Sequence, residues 1–138
     1  DLYLSTQKAL ALLDKDDDKG FFLMIEGGKI DTYGHANSID GLVEEFLEFD
    51  KCVGLVMEFM IDHPDTLLIV TADHETGGLQ YVEGGDKIYA FTTGSHTSTD
   101  VPIYAAGAGT EKFNEKTVEN TEIAKFIAEK MGEKKFGG

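Results

Sequence analysis

Residues 66–78 read TLLIVTADHETGG, an apolar run (Leu67 to Val70) that breaks into Asp73, His74 and Glu75 and closes on Gly77 and Gly78. Residues 20–28, GFFLMIEGG, carry the same pattern: Phe21 to Ile25 are continuously apolar, and Glu26, Gly27 and Gly28 stop them. Runs this short, bounded by glycine, read as strands buried on both faces. Between them, Leu42, Phe46, Phe49, Val53, Val56 and Met60 recur at alternating spacings of four and three, the seam of a long helix from Gly41 to Ile61 that His63 and Pro64 end. Strand, long helix and strand without a hairpin predict a crossover between parallel strands. Both polar clusters then fall at one sheet edge, where open α/β folds bind ligands.

Working outward, Leu2 to Leu13 predict an amphipathic helix ending near Asp14, followed by a solvated turn to Lys19. Ile88, Tyr89 and Phe91 suggest an edge strand within Gly84 to Thr93, and Val101 to Ala106 a further strand that Pro102 places at an edge or a start. Asn120 reads as the N-cap of a last helix with Ile123, Ile127 and Met131 on one face, ending near Gly132. No repeat or low-complexity linker divides the chain, so residues 1–138 are expected to form a single domain.

Composition narrows the partners. The 138 residues are 41% hydrophobic, enough for a core without structural disulfides, and Cys52 has no partner in the chain. A net charge of -14 argues against nucleic acid or an anionic membrane surface. All 12 basic residues are lysines, so no guanidinium is available to hold an anion bidentately. Clustered carboxylates in such a chain favour bound divalent cations. No segment is apolar enough to span a bilayer, and the chain opens at Asp1 without a signal-peptide pattern, as expected of a cytosolic protein, one whose leader has been removed, or a piece of something longer.

Six potential metal ligands follow the apolar runs: Glu26, Asp31 and His35; Asp73 and His74; and His96. Asp31 and His35, four apart, present an oxygen and an imidazole nitrogen to one cation, a donor pair that suits zinc, and His96 is the natural third ligand. Asp73 and His74 can serve a second metal, and Glu26 offers a hard oxygen better matched to magnesium. Two metals a few ångströms apart suit phosphoryl transfer. His63 reads as an exposed helix terminus, Glu75 as polar loop, and Cys52, Met24, Met57, Met60 and Met131 as packing residues.

The segments GFFLMIEGGKIDTY (20–33) with His35 two residues on, TADHETGG (71–78) and GSHTSTDVPIYAA (94–106) resemble, in order and spacing, the C-terminal half of alkaline phosphatases. The resemblance implies a three-layer α/β sandwich with a mainly parallel central sheet. It implies that Asp31, His35 and His96 bind one zinc, Asp73 and His74 a second, and Glu26 magnesium. It implies phosphate monoester hydrolysis through a phosphoserine, in the periplasm or outside the cell. That family's serine nucleophile, phosphate-holding arginine and a further aspartate lie in its N-terminal half. The chain is therefore expected to be a C-terminal piece that holds most metal ligands, contributes no catalytic residue and is inactive alone. Ser95 and Ser98 are poor substitutes, since a histidine bound to zinc cannot also act as base. Apolar surface bared by a missing half would favour a homodimer. The alternatives are a phosphodiesterase or phosphomutase of the same superfamily, or a module that simply binds divalent cations.

Overall fold

The computed structural model describes residues 1–15, 20–84, 88–113 and 117–137. Most of the expected turn from Asp14 to Lys19 and residues 85–87 of the expected edge-strand region lie outside them. Helix α1 (Leu2–Leu13) starts where Asp1 accepts the amide of Leu4, and it buries Thr6 and Leu10. Helix α2 (Gly28–His35) follows the extended run Phe21 to Ile25. Asn37, in the left-handed region at φ 53°, stops α2, a conformation asparagine tolerates better than most residues. Helix α3 (Ile39–Asp62) is the long predicted helix, and it packs on both α1 and α2.

Most of the predicted seam of α3 faces inward, with Val56 buried and Leu42, Phe49, Val53 and Met60 half-buried, but Phe46 falls outside the buried face and Cys52 within it. A 3.6-residue period admits either residue; α1 and α2, packed against one flank, choose between them. His63 ends the helix half-buried. Its ring stacks on Phe59 at 3.8 Å, Nδ1 lies 2.9 Å from the Phe59 carbonyl and Nε2 lies 3.0 Å from Asp14 at the end of α1. It is thus a tie between two helix ends, which corrects the reading of an exposed terminus.

Among the described residues every ladder is antiparallel, and none joins Phe21–Ile25 to Leu67–Val70, the pair expected to be parallel. β1 (Leu67–Val70) pairs antiparallel with β6 (Tyr104–Gly107), β2 (Glu75–Thr76) with β5 (His96–Thr97), and β3 (Gln80–Tyr81) with β4 (Tyr89–Ala90). The three ladders are nested. The described parts of the chain between Leu67 and Gly107 fold back on each other as an interrupted antiparallel ribbon of three separate pairs. Phe21 to Ile25 join no ladder among the described residues, and their burial alternates, with Phe22 58% and Met24 68% exposed. The expected burial on both faces is therefore replaced by one packed face, on which Phe21 meets Phe59. Pro102, which lacks an N–H, lies just before β6, as a strand-start proline should.

Helix α4 (Asn120–Lys130) has Glu119 as its N-cap residue; Asn120 stands one position inside, and its side-chain amide donates to the carbonyl of Asp73. α4 and the 3₁₀ turn Thr110–Phe113 close a second small core, where Phe113 and Phe126 meet edge-on at 5.1 Å between centroids. Met24, Met57 and Met131 are exposed rather than packed. No helix among the described residues is long and apolar enough to cross a membrane.

Candidate metal centre

Two elements build the site. On α2, Asp31 and His35 are one turn apart and so share a face. On the ribbon, Thr76 stands directly opposite His96, and side chains alternate along a strand, so His74, Thr76 and His96 project from the same face of the β2–β5 ladder. α2 lies against this face closely enough that a Cβ on Gly34 would come within 3.0 Å of the Thr76 carbonyl oxygen. The two sets of ligands are thereby brought into one cluster.

Within it, Oδ1 of Asp31 is 3.4 Å from Nε2 of His35 and 3.4 Å from Nε2 of His96, and the two Nε2 atoms are 3.1 Å apart. Asp73 Oδ2 lies 3.4 Å from Nε2 of His74. The His74 ring stacks on His96 at 3.5 Å, and Asp31, His74 and His96 offer ligand atoms all within 4.8 Å of one another. A tetrahedral ion with bonds of about 2.0–2.1 Å separates its ligands by roughly 3.3 Å. The Asp31–His35–His96 triangle and the Asp73–His74 edge both match that spacing.

The outer hydrogen bonds set the tautomers. His35 Nδ1 donates to the Gly94 carbonyl at 2.8 Å, which leaves the Nε2 lone pair facing the cluster. Thr76 donates its single hydroxyl proton to Oδ1 of Asp31 at 2.6 Å, so it accepts from Nδ1 of His74 at 3.1 Å and again leaves Nε2 as a lone pair. Opposite the His35 lone pair, 3.1 Å away, Nε2 of His96 either carries a proton toward it or shares a cation with it. The donor set, carboxylate oxygen with neutral imidazole nitrogen, fits zinc. The Asp31 carboxyl is held below its ordinary value, first by the Thr76 hydroxyl and then by His35, His96 and His74, with burial opposing them.

Five of the six predicted ligands thus meet. The sixth, Glu26, is exposed at the entry to α2, and no hydrogen bond or ion pair ties it to the cluster among the described residues. Asp73, 85% exposed at its side chain, stands at the open rim. Sequence reading missed Thr76, whose signal was its place two residues after His74 on a strand. It also missed the part played by Glu75, whose carboxylate accepts the amides of Gly78 and Leu79. Ser95, next to His96, leaves the ladder on the opposite face.

A family model for alkaline phosphatase matches residues 2–92. The chain is 35% identical to alkaline phosphatase 3 of Bacillus subtilis over 131 residues, which cover 95% of this chain and 26% of that protein. Among solved structures, a cold-active alkaline phosphatase from the psychrophile Shewanella sp. superposes with a TM-score of 0.87 at 25% identity, over 94% of this chain and 50% of that one. A magnesium-bound variant of the TAB5 alkaline phosphatase superposes at 0.73 with 37% identity, over 81% of this chain and 36% of the other. The chain thus spans from about a quarter to half the length of these relatives, and its fold has their α/β character.

Proposed function

The chain belongs to the alkaline phosphatase family, and from that premise we propose that it forms the metal cradle of a phosphate monoester hydrolase. Asp31, His35 and His96 hold one zinc, Asp73 and His74 a second, and Glu26 a magnesium. The observation that carries this reading is the triangle of 3.1, 3.4 and 3.4 Å among Asp31, His35 and His96, the ligand spacing of a tetrahedral ion. Zinc held here would supply positive charge against the oxygens of a phosphoester, in a chain that has no arginine to grip them bidentately. The chain's own part is to aim and hold. Gly94 and Thr76 fix the tautomers of His35 and His74, and the Thr76 hydroxyl holds the Asp31 carboxyl below its ordinary value. The magnesium-bound TAB5 relative supports a third ion, for which Glu26 offers a hard oxygen.

This single domain is, on our reading, part of a larger three-layer sandwich whose central sheet is completed by parallel strands beyond the antiparallel ribbon. Phe21 to Ile25, extended and unladdered, form one of its strands. The parent acts through a phosphoserine outside the cytoplasm, and the nucleophile and the phosphate-binding arginine come from elsewhere in it. Exposed Phe22, Met24, Met57 and Ile61 favour self-association of this chain as a homodimer, to be checked by light scattering.

Zinc titration by calorimetry tests the reading. The metal-free chain is expected to bind zinc tightly, His96→Ala to abolish that binding, and the chain alone to hydrolyse no aryl phosphate. Preference for calcium, unaffected by loss of the histidines, would identify a cation-binding module instead. Turnover by the chain that survives Ser95→Ala but not His35→Ala would contradict the division between cradle and nucleophile. Mono- against diester substrates, tried on the parent, separate phosphatase from phosphodiesterase.

A further inference from the structure

Glu75 follows His74, Thr97 follows His96, and the two are directly opposed in the β2–β5 ladder, so their side chains meet on the face turned away from the metal cradle. The Glu75 carboxylate there is fully engaged. It accepts the Gly78 amide at 2.9 and 3.1 Å, the Leu79 amide at 3.3 Å and the Thr97 hydroxyl at 2.5 Å. Gly77 and Gly78, at φ 96° and 58°, turn the backbone so that these amides point back at the carboxylate.

We propose that Glu75 is a positioning residue whose clasp on Thr97 sets the register that brings His74 and His96 together. The ladder needs such a device. β2 and β5 are two residues each, and an isolated two-stranded pairing is marginal in water. A slip of one residue would send one of the histidines to the wrong face. A charge-assisted bond between directly opposed residues, anchored by two backbone amides, opposes that slip at the position next to both ligands. The inference rests on the metal-cradle reading, but the clasp can be judged without metal.

Glu75→Gln and Thr97→Val are made in the full chain, with Thr97→Ser as the conservative control. In the metal-free protein, the nuclear Overhauser contact between the imidazole protons of His74 and His96, and exchange protection of the Gly78 and Leu79 amides, report register. In the cobalt-loaded protein, the visible absorption of histidine-bound cobalt reports affinity and geometry. Glu75→Gln is expected to lose the amide protection, and both it and Thr97→Val to lose the imidazole contact and bind cobalt about ten- to a hundredfold more weakly. Thr97→Ser restores wild-type behaviour in both readouts. If Glu75→Gln does not fold, the Thr97→Val and Thr97→Ser pair decides alone. Retention of the imidazole contact in the folded variants overturns the clasp. Loss of the contact in the variants, with a wild type that binds no cobalt, upholds the clasp and refutes the metal-cradle reading.

Discussion

The Thr76 hydroxyl donates a 2.6 Å hydrogen bond to Asp31, joining strand β2 to helix α2 across 45 residues of sequence. It is the largest cause of the lowered Asp31 pKa. A carboxyl depressed in the fold favours the fold above its unfolded value, and that contribution is lost as pH falls through the folded value. Thr76→Val should therefore lower stability at pH 7 by about 1 kcal/mol, a charged hydrogen bond discounted for a half-exposed site. The deficit should shrink in acid, where the wild type also loses the bond. Urea unfolding of both proteins at pH 7 and pH 3 checks this, and a deficit equal at both would refute the assignment to Asp31.

Gly34 allows α2 to approach β2. Alanine there gains about 1 kcal/mol of helix propensity over glycine, but its Cβ would stand 3.0 Å from the Thr76 carbonyl oxygen and 3.1 Å from the Thr76 Cβ. Overpacking against backbone typically costs about 1–3 kcal/mol, and a strand paired on one edge cannot absorb it without moving Thr76 off Asp31. We expect Gly34→Ala to be less stable by about 1 kcal/mol, and its zinc affinity to fall roughly tenfold, as when an outer hydrogen bond is lost. Calorimetry beside thermal melts checks both; a variant more stable than wild type with unchanged affinity would show that propensity governs.

Much of this site was legible in the sequence, because ligand identity and helical spacing are local. Asp31 and His35 share a face whatever else the chain does, and a polar cluster after an apolar run marks a strand end. Pairing direction was not legible. The ladders of β2, β3, β4 and β5 are two residues long, too short for a period-2 pattern, so the glycines at 77, 78 and 94 hid a ribbon in what read as loop. The choice of Cys52 over Phe46 for the buried face of α3 was equally hidden, since it is made by α1 and α2. Thr76 and Glu75 escaped because an outer ligand's role depends on the cross-strand partner, which no local signal names.

Phe126 holds the second core. It is buried, packs edge-on to Phe113, and lies under the ammonium groups of Lys112 and Lys130 at 5.2 and 5.3 Å. Phe126→Ala should cost about 3–5 kcal/mol if the ring's cavity stays open, and less if α4 settles onto Phe113. Asn120 ties the start of the same helix to the Asp73 carbonyl, so loosening α4 should also weaken binding at the Asp73–His74 edge while sparing the Asp31–His35–His96 triangle. A two-site zinc titration of Phe126→Ala, in which only the weaker step shifts, is the expected result; equal loss at both steps would mean the helix supports the whole fold rather than one rim.

His63 gives the stability of the helical half its own pH dependence. Its pKa is raised, first by the hydrogen bond from Nδ1 to the Phe59 carbonyl, and further by Asp14, Asp62 and Asp65, with desolvation opposing. A histidine raised in the fold contributes fully below its unfolded pKa of 6.5 and loses that contribution as pH climbs through the folded value. The protonated ring donates to both Phe59 and Asp14, and the neutral ring can donate to only one. Wild type should therefore melt above His63→Gln at pH 6, and the gap should narrow by pH 8.5. Asp14→Asn should flatten the same profile partly, because the Phe59 carbonyl remains. A gap that widens with rising pH would reverse the sign of the linkage and show that the ring is held neutral between the two helix ends.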